Sequence, residues 1–386
     1  MAETMTPYER MRAVWECEVP DRVPYMPMVV FFVARQGGLT IKEFVSQPEK
    51  FVDAALDGLD YIGDAQHPGI ASANHMSMLG HAGWDMATLD WRLWDEFPPD
   101  GNLPSIYEKV LIQDYDDVME RGFATILFST ELKNGIHERS VEDFLYYHFE
   151  HKQVWSKAWR RFYAKTGIPI LIGGRSEHPL DMLQSYRGIN QLVMDMYTIP
   201  DKLIEVMEWL ADYEVMQAAQ EAETMGAGEL PGAENIFFYN GGPPGMPPDL
   251  YGKLYIPIAK KMIDAWVERG FNVWAHWDND LTAHLAGIRT LADGLPKGRL
   301  LMDLEKTDMK KAKEVLGGVI PICGNVPSSL MVYGTPDEVD AYCRELIEDC
   351  APGGGFILGA ECETPWDSKR ENVVAMKRCA AKYGTY

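Results

Sequence analysis

The feature that most constrains this chain is a recurrence: a short apolar run suited to a strand, then a longer stretch with helical spacing. Such runs stand at residues 23–30, 124–128, 168–172, 235–239, 272–276, 300–304, 319–323 and 355–359. Between several of them lie helical patterns. Residues 201–223 carry Leu203, Val206, Met207 and Leu210 at helical spacing, and 337–349 carry Val339, Tyr342, Cys343, Leu346 and Ile347 on one face. Apolar strands alternating with helices imply a parallel sheet covered by helices. About eight such units point to a closed (β/α)8 TIM barrel of the α/β class. A doubly wound open sheet is the alternative, but no G-x-G-x-x-G follows the first strand.

Residues 1–386 read as a single domain with an elaborated N-terminal part, since no Ser/Gly linker interrupts them. Residues 85–150, rich in Trp, Asp and Pro, fit the repeat poorly and are expected to form a loop region over the barrel mouth. A barrel of this size needs a large core, and a hydrophobic share of 46% supplies it. The net charge of −22 disfavours nucleic acid and anionic membrane surfaces, which need clustered Lys and Arg. The N-terminus MAETMTPYER has neither a basic region nor an apolar core, so no signal peptide is expected. No stretch approaches ~18 apolar residues, so no membrane span is expected. Six scattered cysteines do not make a disulfide framework. The expected location is a reducing cytoplasm, with those cysteines as thiols or metal ligands.

In a barrel of this kind the reacting groups sit at the C-terminal ends of the strands. That rule singles out His276 and Asp278 in NVWAHWDND, Cys323 in VIPICGNV and Cys362 in GGGFILGAEC. Nitrogen, carboxylate and thiolate are zinc donors, and a catalytic zinc keeps three protein ligands and one open position. Each residue also has a structural reading. His276 suits a hydrogen-bonded structural histidine, Asp278 a helix cap, and Cys323 simple packing as a small buried hydrophobe. The loop YNGGPPGMPPDLYG, which begins at Tyr239 and Asn240, suits a wall or lid. Trp274 and Trp277 flank the proposed ligands as core residues or as a flat apolar wall. His67, His75 and His81 form a second cluster on a loop segment, of which His67 is a pocket candidate.

Several segments together resemble the uroporphyrinogen decarboxylase superfamily. They are VLGGVIPICGNV, YGTPDEVDAYCRELI, GGGFILGAEC and RENVVAMKRCAAKYG, with PDRVP near the N-terminus and YRGINQLVMDMYTIPDKL in mid-chain. The family's ending is similar to G-C-E-I-P-P-x-T-P-x-E-N. Here the spacing from Cys362 to Glu371 and Asn372 is kept, while the prolines between are partly lost. Decarboxylases of the family carry an arginine-rich segment for porphyrin carboxylates. The comparable stretch here, Arg35-Gln36-Gly37-Gly38, keeps one arginine. The family's pyrrole-binding aspartate corresponds loosely to Asp64 in YIGDA.

The resemblance implies the corrinoid-dependent methyltransferase branch, which holds zinc on H-x-C and a C-terminal cysteine. Here H-x-C reads His276-x-Asp278, and Cys362 is retained. Replacing thiolate by carboxylate makes the zinc harder and better suited to polarising an oxygen than to stabilising a thiolate. The implied reaction is transfer of a methyl group from an O-methyl donor, such as a methoxylated aromatic compound, to a cob(I)alamin. Glu361 or Glu363 is the candidate acid for the departing oxygen, although pairing with Lys369 and Arg370 is their plainer reading. No D-x-H-x-x-G segment is present, so the corrinoid is expected to arrive on a partner protein. Three alternatives stay open: methyl transfer from methylcorrinoid to a thiol or pterin, decarboxylation of a porphyrinogen or small acid, and a non-catalytic barrel that binds a corrinoid protein. Self-association into a homo-oligomer is also open.

Overall fold

The structure is a computed structural model, and it describes residues 3–40, 43–44, 47–66, 112–123 and 151–386. Among the described residues seven parallel strands form one sheet: β1 (Tyr25–Met26), β2 (Gly174–Glu177), β3 (Asn235–Asn240), β4 (Asn272–Trp277), β5 (Leu300–Leu304), β6 (Ile322–Val326) and β7 (Phe356–Ala360). Their spatial order is β1-β7-β6-β5-β4-β3-β2, with every pair parallel. The two edges are joined by residues 64–66. Asp64 donates its N–H to the Tyr25 carbonyl at 2.7 Å, Gln66 donates to the Pro169 carbonyl at 3.0 Å, and Leu171 donates to the Gln66 carbonyl at 2.8 Å. This short segment takes the eighth place, and the fold is a (β/α)8 barrel.

Four of the expected strands lie where the apolar runs place them, at 235–239, 272–276, 300–304 and 355–359, while the one expected at 319–323 begins later, at Ile322. At 23–30 only Tyr25–Met26 is regular strand, and the strand expected at 168–172 begins later, at Gly174. The run at 124–128 lies outside the described residues, as does most of 85–150. The helix Pro200–Met225 starts on a proline and ends at Gly226 in the left-handed region, φ 108°. Proline lacks the N–H that a first turn cannot use, and glycine takes positive φ without strain. The helix Pro336–Cys350 opens with a capping box in which Thr335 and Glu338 satisfy each other's backbone N–H groups.

Strand alternation sorts the side chains. Met26, Phe237, Trp274, Leu301, Cys323 and Ile357 point inward and fill the barrel. Met11, Val14 and Trp15 of the helix Pro7–Trp15 plug it from the N-terminal end, with the Trp15 and Trp274 rings 5.9 Å apart. Ile236, Phe238, Val273, Ala275 and Trp277 point outward to the helices. The larger aliphatic and phenyl side chains among them, Ile236, Phe238 and Val273, each stabilise the fold by about 1.5–3 kcal/mol on burial. Among the described residues no helix is long and apolar enough to cross a membrane.

Candidate active site

His276 stands near the C-terminal end of β4, on the inner face, in register with Asp303 of β5 and Tyr239 of β3. Its Nδ1 lies 2.9 Å from Oδ2 of Asp303, which is wholly buried. The Trp274 indole N–H donates to the same oxygen at 3.0 Å. The carboxylate has only acceptor oxygens, so Nδ1 carries the proton. The ring is further held by Phe237, stacked at 5.2 Å between centroids. Nε2 is thereby turned toward the mouth. There it faces Asp278 Oδ1 at 3.4 Å and the Cys362 thiol.

The electrostatics follow from this packing. Burial works against a charged imidazole, yet the Asp303 carboxylate and the Cys362 sulfur outweigh it, and the His276 pKa is raised well above its ordinary value. Burial pushes the Cys362 thiol up, while His276 draws it partly back. Burial also raises Asp278 against the pull of His276, and raises Glu305 with help from the nearby Asp278.

The other expected site residues divide. Tyr239 lines the interior beside His276, with the Arg175 guanidinium 5.9 Å over its ring. Asn240, at φ 96°, ends β3 and donates its side-chain amide to Glu177. Glu361 accepts the Ser328 N–H at 2.7 Å, so it anchors the first turn of the helix Ser328–Tyr333. Glu363 accepts the Phe31 N–H at 2.8 Å, and burial pushes its carboxyl up to about 8. Neither glutamate is drawn into the His276 group by these bonds.

Five expectations are corrected or fall elsewhere. Trp277 points outward, with its ring against Phe238 and Tyr255, because it is one residue out of phase with His276. Trp274 sits in the filled interior below His276 and supports Asp303 rather than lining a pocket. Asp64 is no substrate group. It takes Arg10 at 2.6 Å, Arg22 at 2.8 Å and the Tyr25 N–H at 2.9 Å, tying the helix Pro7–Trp15 to the barrel wall. Cys323 is fully buried beside Asp303 and packs against Gly359, where an added Cβ would lie 2.5 Å from its sulfur. It is core packing rather than a ligand. His67 lies outside the described residues.

The sequence reading missed Asp303. Its signal was an acid in the otherwise apolar run LLMDL, at the position whose alternation points inward. A cavity of about 300 Å³ lies at the opposite, N-terminal end of the barrel, between Tyr8, Trp15, Asn235, Asn272 and Arg299. It is remote from His276 and plays no part in this site.

The donors suit zinc in kind: one imidazole nitrogen, one carboxylate oxygen and one sulfur. With bonds near ~2.0–2.1 Å, two ligands of a tetrahedral zinc stand roughly 3.4 Å apart, which is the 3.4 Å between His276 and Asp278. The Asp303–His276 pair is the carboxylate support that metal-bound histidines use. Among the described residues no group of three or more His, Cys, Asp or Glu side chains is already gathered into a metal-holding cluster.

The family profile for uroporphyrinogen decarboxylase (URO-D) matches residues 153–383. The chain belongs to the uroporphyrinogen decarboxylase family. Comparison with curated proteins gives no match. Among solved structures, a methyltransferase from Methanosarcina mazei superposes with a TM-score of 0.60 at 17% identity, covering 98% of this chain and 99% of that one. The two share the barrel fold. A B12-independent methionine synthase from Shewanella sp. W3-18-1, in complex with selenomethionine, reaches a TM-score of 0.38 at 12% identity, covering 59% of this chain and 66% of that one. That likeness is too low to carry an argument.

Proposed function

We propose that this chain is a methyltransferase of its family, moving a methyl group from an O-methyl donor, of the methoxylated aromatic type, to a reduced corrinoid carried by a partner protein. Zinc held by His276, Asp278 and Cys362 is part of the proposal. The observation that carries it is the orientation of His276. Asp303 fixes Nδ1, so Nε2 meets an oxygen and a sulfur donor at the end of the barrel where such folds do their chemistry. The whole-length likeness to a methyltransferase is in keeping with it.

When bound, zinc would act as a Lewis acid on the oxygen that carries the methyl group. The chain's own residues do the rest. Asp303 holds the imidazole in one tautomer and one direction. Phe237 and Tyr239 present aromatic surface beside it. Asp278 in the place of a second thiolate keeps the donor set hard, favouring an oxygen-linked substrate over a thiol. The raised Cys362 thiol must lose its proton to become a ligand, so metal loading releases protons.

The test is elemental analysis of the purified protein beside His276→Ala and Cys362→Ala. The expected result is stoichiometric zinc in the wild type and its loss in both variants. A wild type that takes up no metal overturns the proposed site.

A further inference from the structure

The cavity at the N-terminal end of the barrel has a volume of about 300 Å³. An apolar cavity of ~150 Å³ is enough to take up benzene, so this one has room for a single ring and a substituent. Its lining is of two kinds. Met11, Trp15, Ile170 and Leu171 are buried and apolar. Arg12, Glu16 and Lys297 also line it, and they reach solvent. An apolar interior with a charged rim suits a ligand with a flat apolar body and a charged head.

The hydrogen bonds show which polar groups are left for such a head. Arg299 Nη1 donates to the Gly270 carbonyl at 3.1 Å and to Asn272 Oδ1 at 2.7 Å. The Asn272 amide donates to Asn235 Oδ1 at 3.0 Å, and the Asn235 amide donates to the Leu171 carbonyl at 2.9 Å. The two asparagines are thus engaged with one another, and the guanidinium is held in place at one nitrogen. Glu16 pairs with Arg12 at 3.4 Å, and Glu234 accepts the Gly232 N–H at 2.8 Å. No carboxylate pairs with Arg299 or Lys297 among the described residues. Three cations and two carboxylates therefore line the cavity, in a chain whose net charge is −22. We propose that this cavity binds a small aromatic carboxylate, with its ring against Trp15 and its carboxylate on Arg299 and Lys297. A guanidinium fixed at one nitrogen still offers N–H donors to a carboxylate. The surplus of one positive charge matches a single carboxylate better than a doubly charged phosphate ester.

The experiment measures binding of benzoate, and of benzamide as its uncharged counterpart, by calorimetry on the full chain. Wild type is compared with Arg299→Gln, Lys297→Glu and His276→Ala. The wild type is expected to bind benzoate ~10-fold or more tighter than benzamide. Arg299→Gln should weaken benzoate ~10-fold. Lys297→Glu, at an exposed position, should weaken benzoate ~3-fold or more and leave benzamide unchanged. His276→Ala should leave benzoate binding as it is, because His276 stands at the other end of the barrel. No saturable binding of benzoate, equal affinities for the two compounds, benzoate binding unchanged in Lys297→Glu, or its loss in His276→Ala overturns the inference. Should Arg299→Gln not fold, Lys297→Glu and the benzamide comparison still decide.

Discussion

At the N-terminal end of the barrel, buried charges are matched. Asp64 and Asp21 surround Arg10, whose side chain is wholly buried, and Arg22 meets Asp64 and Glu3. At the C-terminal mouth the acids outnumber their partners. Asp278, Glu305 and Glu363 have carboxyls raised by burial, and Glu177, Asp181 and Glu214 form a second buried group. Paired charge at one end holds the structure. Crowded acid at the other meets burial without enough cations, and its carboxyls are raised. The same residue types serve both ends, and their partners decide which role each plays.

The largest effect should come from breaking the matched end. Asp64→Asn leaves Arg10 buried with two of its three carboxylate partners, Asp21 and Glu3, and unfolding in denaturant should show a loss of about 3–5 kcal/mol. Metal content of the folded protein should be unchanged. A loss below ~1 kcal/mol would mean the network adds little.

The next effect belongs to the mouth. Asp303→Asn keeps an acceptor for Trp274 but removes the charge behind His276. Zinc affinity, read by chelator competition, should fall ~10–100-fold. Unchanged affinity would show that His276 is not oriented for a metal.

The smallest effect is a slope. Asp181 is pushed by burial up to about 8, whereas an unfolded aspartate titrates near ~3.9. The folded state thus binds more protons across this window. Its stability is fully present below the unfolded pKa and is lost as pH rises toward about 8. His178, held down to about 3 by burial, acts with the opposite sign, but only below ~6.5. Between pH ~6.5 and ~8 the wild type should therefore lose stability with rising pH, by at most ~1.4 kcal/mol per pH unit for this group. Asp181→Asn should flatten that slope. Identical pH profiles would mean Asp181 is ionised in the native state.

The apolar runs and the helical spacing specified the barrel, because burial on both faces of a parallel strand leaves few polar positions to disguise it. They also located His276, Asp278 and Cys362 at strand ends, and those three do come together in neighbouring pairs. Two kinds of information stayed hidden. Phase within a strand was one: Trp274, His276 and Trp277 lie within four residues, yet Trp277 belongs to the outer core. Partnership across the sheet was the other. Asp303 and Glu177 read as ordinary acids until register set them level with His276. Asp64 read as a pocket group until Arg10, 54 residues away, took it. Composition and periodicity are local properties, and a chain carries them in its order. Which charge meets which depends on strand register and closure of the barrel, and those are settled only when distant segments pack.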